Sequence, residues 1–208
     1  QPYEIPAFRG GVIAKAGQEH ILFHNHLNDQ EFVYAYPLIQ YKRVGKNPAI
    51  LCIDYGVDEV HHLFENEDLT IRIGDRPAQL TVKHLLMQKY TLQVWDRHFS
   101  YRLYNWLALN QENYEKYRQL EDELAQCVFL ENILKANILS FAKGVEWTVE
   151  KPISLRIDEV MHPKVVPYKR QKLVAFDVYF RSNVFLPDFI GLGKGVSLGF
   201  GTISQTNK

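Results

Sequence analysis

The chain has 208 residues, 46% of them apolar and 13% aromatic, with 24 basic and 24 acidic side chains and no formal net charge. Length allows one or two domains, and this balance of apolar and charged residues excludes a disordered chain. Two cysteines, Cys52 and Cys127, sit in apolar runs and argue against a disulfide framework or a zinc knuckle; no signal peptide or apolar run of membrane-spanning length is present, so the expectation is a cytoplasmic protein without a membrane partner. The chain opens on Gln1 rather than Met, which leaves open whether a natural N-terminus precedes it.

Residues 1–18 hold helix formers interrupted by Gly10 and Gly11, each of which costs a helix roughly 1 kcal/mol, and they are assigned to no element. FVYAYPLIQYKRV reads as a strand, GKNP as a turn, and AILCIDYG as a short apolar strand ended by Gly56. In VDEVHHLF the apolar residues Val57, Val60, Leu63 and Phe64 form a helical stripe, with Asp58 and Glu59 in the first turn, where the helix dipole favours acids. LTIRIG and AQLTVK alternate on either side of GDRP and predict a hairpin.

A second unit begins near residue 93 with LQVWDRHFSYRLYNWLAL, a strand by alternation. Residues 112–143 lack Gly and Pro and carry a helical pattern through Leu120, Leu124, Cys127, Val128, Leu134, Ile138 and Phe141. One straight helix there would run roughly 48 Å, so a break is expected. SLRID and KLVAFDVYF follow as strands, with Val174, Phe176, Val178 and Phe180 on one face. The order β-β-α-β-β, then β-α-β-β-β, predicts an α+β protein of two tandem ferredoxin-like (split βαβ) domains with antiparallel sheets. The expected domains are 1–92 and 93–208, the first lacking its opening strand or using residues 1–6 for it, the second with a helical insertion and a glycine-rich tail.

Charge is segregated along the chain. KVVPYKRQK holds Lys164, Lys169, Arg170 and Lys172, KRVGK holds Lys42 and Arg43, and the acids gather in 112–123. Charge alone leaves two readings open: solvated loops, or phosphate contacts of a nucleic-acid surface with Tyr168 available for stacking.

The tail PDFIGLGKGVSLGFGTI sets Gly191, Gly193, Gly199 and Gly201 as two G-x-G pairs around Lys194. A dinucleotide fingerprint fails, since Val196 and Leu198 stand where its third glycine belongs, and Gly193-Lys194-Gly195 does not supply the Gly-Lys-Ser/Thr of a phosphate loop. A plain glycine-rich hairpin remains one reading. The other is a resemblance: this spacing at the C-terminal end, with FRG near the start and YPLIQYK after the histidines, resembles the RAMP superfamily of CRISPR-associated RNA-binding proteins, and its repeat-processing endoribonucleases in particular. The resemblance implies that the glycine loop closes the second ferredoxin-like domain and either contacts RNA or supports the inter-domain groove, and that the partners are CRISPR repeat RNA, other CRISPR effector subunits and a second copy of the chain.

His20, His24 and His26 lie together in HILFHNHLN. No acidic or thiol ligand joins them there, so zinc is disfavoured and no cofactor is expected. Acid–base chemistry fits better, because RNA carries its own nucleophile, the 2′-hydroxyl, and imidazoles near neutrality can take its proton and protonate the leaving 5′-oxygen. A lysine steadies the phosphorane, and the products are a 2′,3′-cyclic phosphate and a 5′-hydroxyl without any metal. The resemblance implies His26 and His24 as the pair, Tyr34 downstream and Lys15 upstream, with His20 as a rival histidine and Lys42 as a rival for Lys15. His61, His62, His84, His98 and His162 are read as structural. Two further readings compete with the enzyme: a catalytically inactive RAMP-type scaffold that binds guide RNA, and a ferredoxin-like binding domain unrelated to RNA.

Overall fold

The computed structural model describes residues 4–17, 26–28, 31–32, 36–65 and 68–206. Two compact units divide the chain: Gln1–Tyr90 with Ser197–Gly199, and Thr91–Val196 with Phe200–Lys208.

The first unit opens with α1 (Ile5–Ala16), which forms in spite of its glycine pair. A proline in its first turn is preorganised for a helix start, and Ile5, Phe8, Val12 and Ala16 are buried along one stripe. Gly11 is the point of closest approach: a Cβ there would lie 2.4 Å from the carbonyl oxygen of Arg72. The residue that weakens an isolated helix is therefore the one that lets this helix lie against a neighbouring backbone. Ile5 and Pro6 are helical, which corrects the reading of 1–6 as a strand.

Next come β1 (His26–Asn28) and β2 (Glu31–Phe32), a short antiparallel pair. β3 (Ile39–Val44) and β4 (Asn47–Cys52) make a hairpin that turns at Gly45, φ 60°. Of the strand expected over 32–44, residues 33–35 lie outside the described residues, and residues 36–38 before β3 are not strand; Pro37 among them has no N–H to give a ladder. α2 (Gly56–Phe64) carries Asp58 and Glu59 in its first turn, as the stripe predicts. β5 (Thr70–Ile73) and β6 (Arg76–Gln79) form the second hairpin. β6 stops at Gln79, short of the expected Lys83, and the chain then runs exposed, with Leu85, Leu86 and Met87 75%, 82% and 79% accessible. The core of this unit is Ile5, Phe8, Val12, Ala16, Ile39, Tyr41, Leu63 and Ile71.

The second unit runs β7 (Val94–Trp106), α3 (Gln111–Gln119), α4 (Glu123–Gly144), β8 (Leu155–Val160), β9 (Lys164–Tyr168), β10 (Gln171–Val184) and β11 (Thr202–Gln205). The expected helix break falls at Leu120, which is extended, and Asp122 then caps α4 by accepting from the N–H of Ala125 at 2.6 Å. The buried stripe of α4 is Leu130, Leu134, Ile138 and Phe141. Leu124 and Val128, read from sequence as part of it, fall off that stripe by helical rotation and are exposed.

Strand order in the sheet is β11-β7-β10-β8, with β9 paired to β10 and every ladder antiparallel. Counting the four main strands along the chain, that is 4-1-3-2, the order of a split βαβ unit. The crossover from β10 to β11 holds only a short 3-10 turn, Val196–Leu198, where such a unit has its second helix. Asn105, φ 48°, marks an irregularity near the end of β7, and Trp106 beyond it is buried with its Nε1 donating to Asn137 on α4 at 2.9 Å. The protein is α+β, two tandem ferredoxin-like domains with antiparallel sheets.

Candidate functional site

Of the expected catalytic residues, His24 and Tyr34 lie outside the described residues, as does the rival His20. His26 heads β1, where its Cα pairs with that of Phe32. Lys15 is in the last turn of α1, with its Nζ 3.7 Å from Oδ2 of Asp68. The hydroxyl and N–H of Thr70, and then the charge of Lys15, hold the Asp68 carboxyl below its ordinary value. A surface ion pair of this kind is weak and leaves Lys15 able to exchange one anion for another.

Lys42 was expected as a surface cation. It is 1% exposed, in the middle of a strand whose next residue, Arg43, is exposed. Burial pushes its ammonium from an ordinary 10.5 down to about 7. Above that pH the fold has released a proton that the unfolded chain still holds, so stability rises with pH. The half-buried Cys52 thiol is pushed up to about 12 and acts oppositely, taking hold where an unfolded thiol is half ionised, at roughly pH 8.5. The expected result is a denaturation midpoint that climbs from pH 7 to about 8.5, and a Lys42→Met variant in which the climb is flattened. Urea midpoints at half-unit pH intervals measure it; a flat profile in the native chain removes the lowered lysine.

In the second unit the basic segment forms the β9–β10 hairpin, turning at Lys169, φ 54°. Arg170 and Lys172 are exposed. Lys164 is engaged within the fold: its Nζ lies 2.8 Å from Oδ2 of the buried Asp177, which also accepts from the N–H of Asn105 at 2.8 Å and lies 3.7 Å from the Arg102 guanidinium. Burial acts to raise the Asp177 carboxyl, but the Lys164 and Asn105 hydrogen bonds and both cations outweigh it and leave it below its ordinary value.

Tyr168, suggested by sequence as a stacking ring, is 8% exposed and packs on Phe200 with ring centroids 5.7 Å apart. What it does instead is gather cations: Lys194 Nζ lies 5.3 Å and Lys169 Nζ 5.9 Å from its ring centre. One buried ring thus joins the hairpin tip to the glycine-rich loop.

In that loop Gly193, Gly199 and Gly201 have φ of 90°, 86° and 60°. A Cβ on Gly191 would lie 2.3 Å from Val196, one on Gly193 2.7 Å from Trp106, and one on Gly201 1.9 Å from the carbonyl oxygen of Leu192. Several loop N–H groups are already used: Leu192 donates to Gly201, Lys194 to Leu107, Phe200 to Gly195 and Gly201 to Asn105. These glycines close the crossover tightly, and those four donors are not available to an anion. Gly199, grouped with the first unit, would place a Cβ 3.2 Å from the carbonyl oxygen of Tyr41 and 3.8 Å from Cα of Lys42.

On the face of the second sheet away from α4, Arg102 lies between two tyrosines, 4.4 Å from the ring centre of Tyr104 and 5.2 Å from that of Tyr179. The sequence reading missed all three. The signal was strand alternation, which sets Arg102 and Tyr104 opposite in facing to Tyr101 and Leu103.

The Cas6b N-terminal domain model matches residues 1–91 and the Cas6b C-terminal domain model matches residues 93–206. A solved structure described as Cas6b is 29% identical with a TM-score of 0.85, covering 95% of this chain and 89% of that one. A second, described as the CRISPR RNA processing endoribonuclease Cas6b, is 28% identical with a TM-score of 0.64, covering 83% of each chain. An uncharacterized protein of Methanocaldococcus jannaschii is 40% identical over 103 residues, 50% of this chain and 69% of that protein.

Proposed function

Because the chain belongs to the Cas6b family, we propose that it is an endoribonuclease that processes CRISPR repeat RNA into guide RNAs. The observation that carries this is the match of both domain models across nearly the whole chain, supported by the likeness to a solved Cas6b described as a CRISPR RNA processing endoribonuclease. The reaction is attack of the RNA's own 2′-hydroxyl on the adjacent phosphorus, with loss of the 5′-oxygen, giving a 2′,3′-cyclic phosphate and a 5′-hydroxyl and needing no metal. His26 and His24 exchange the protons, Lys15 neutralises the phosphorane and Tyr34 hydrogen-bonds within the site. The domain reading goes with it: 1–92 carries the histidines and 93–208 carries the glycine loop. A homodimer, association with other CRISPR effector subunits and a cytoplasmic location belong to the same reading. Among the described residues no helix is long and apolar enough to cross a membrane.

The test is cleavage of the repeat RNA from a neighbouring CRISPR array in excess EDTA, with the product ends analysed. A specific cut that survives EDTA and ends in a 2′,3′-cyclic phosphate supports the histidine mechanism. Tight binding without a cut favours the scaffold, and neither binding nor cutting overturns the function.

The cations of the hairpin tip contribute phosphate contacts in this reading. Lys169→Ala with Arg170→Ala is expected to weaken RNA binding and to lower the slope of log affinity against log salt by about 1.4 if both touch a single strand. Filter binding across a salt series measures it, and an unaltered slope removes the hairpin tip from the RNA surface.

A further inference from the structure

The sheet of the second unit has one face covered by α4 and another that neither the histidine mechanism nor the glycine loop uses. Register defines the second face. Tyr179 pairs with Arg102, Arg181 with Ser100, Thr202 with Tyr104 and Ser204 with Arg102, and directly opposed residues share a face. The face is therefore polar and aromatic at the centre, where the core face carries Tyr101, Leu103 and Phe180. Tyr104 and Tyr179 are both partly exposed. They stand on β7 and β10, the two central strands of the order β11-β7-β10-β8.

Between them lies the Arg102 guanidinium, over both rings at 4.4 and 5.2 Å. Two contacts hold it: Asp177 lies 3.7 Å away and the sulfur of Met161 accepts from it at 3.8 Å, while its Nε is buried without a hydrogen-bond partner among the described residues. Such anchoring fixes the guanidinium, against which both rings pack, and so lowers the ordering cost that free side chains would meet on binding. Lys164, tied to the same Asp177, adds a cation beside them. Burying an aromatic–arginine ladder in a core would need none of this exposure. Flat aromatic and guanidinium surfaces on the central strands of a four-stranded ferredoxin-like sheet are the arrangement on which unpaired RNA bases stack.

We propose that this face is a stacking site for unpaired bases of an RNA strand, with Tyr104 and Tyr179 as the stacking rings and Arg102 fixed between them. It rests on the RNA-processing reading and adds a third contact to those of the histidines and the hairpin tip. Stacking reads base faces and not charge, so it makes its own prediction about salt. The rings set where the single strand lies, and the cations set how strongly its phosphates are held.

The experiment uses the full chain and single-stranded repeat RNA carrying 2-aminopurine at successive positions, with an abasic RNA of the same length as comparison. Wild-type protein should quench the fluorescence at one or two positions and should bind the abasic RNA more weakly. Tyr104→Ala and Tyr179→Ala should each lose that quenching and weaken binding by about five- to 100-fold with the salt slope unchanged, whereas Tyr104→Phe and Tyr179→Phe should retain both. Equal wild-type affinity for normal and abasic RNA overturns the proposal even if the alanine variants fold poorly, and so does wild-type quenching in well-folded alanine variants. Failure of the wild-type chain to bind any repeat RNA would sink the RNA-processing reading itself, a result separable from loss of the stacking site alone.

Discussion

His26→Ala is expected to slow single-turnover cleavage of repeat RNA by roughly 10²- to 10⁴-fold while leaving RNA affinity within a few fold. The asymmetry follows from what the imidazole would do. In the proposed mechanism RNA supplies the nucleophile, so the protein need only move protons and steady charge, and both tasks arise in the transition state rather than in the bound ground state. An affinity loss as large as the rate loss would make His26 a phosphate contact. An unchanged rate would remove it from the site and pass its role to His24 or His20. Proton transfer also has a signature that binding lacks: two coupled imidazoles give a rate that rises and falls with pH, and losing one should remove one limb. Rates between pH 5 and 9, in variant and native chain, separate a proton-transfer residue from a merely structural one.

How much of this was legible in the sequence depends on which force decides each element. The second sheet was legible because burial favours alternation: of the face read as Val174, Phe176, Val178 and Phe180, the last three are fully buried and Val174 is half-buried. The helix break was legible from length, and its place was written in Asp122, whose side chain favours capping over continuation. α1 was not legible, because local propensity weighed against Gly10 and Gly11, while the deciding contact is with Arg72, 61 residues beyond Gly11 in sequence. Lys42 failed for a related reason. A cation beside Arg43 in a run of basic residues reads as surface, and only the tertiary fold reveals that the alternate positions of β3 are buried on both sides. The histidine cluster was visible as chemistry, but roles for its members come from family resemblance. The Arg102, Tyr104 and Tyr179 group required knowing which strands are central, which is a property of topology and not of any one segment.

The glycine loop shows the same division, and Gly201→Ala tests it. Spacing identified the loop; it did not say whether the glycines serve an anion or the backbone. Gly201 and Gly45 both have φ of 60°, so alanine meets the same left-handed strain at each, about 1–2 kcal/mol. Their surroundings differ. Among the described residues a Cβ on Gly45 meets nothing within 4 Å, whereas one on Gly201 falls 1.9 Å from the Leu192 carbonyl oxygen, and Gly201 itself accepts from Leu192 and donates to Asn105. Gly201→Ala must therefore push apart two backbone segments and disturb the hydrogen bonds that pair them. The expected loss is at least about 3 kcal/mol, a fall in melting temperature of roughly 6–12 °C, against a small loss for Gly45→Ala. A Gly201→Ala chain that melts like the native one and has lost only RNA binding would reverse the assignment, making this glycine a ligand contact rather than the hinge that closes the crossover onto β7. If the large fall is seen, the two G-x-G pairs are a packing device, and the RNA contact proposed for the loop passes to the cation they position, Lys194 over the ring of Tyr168.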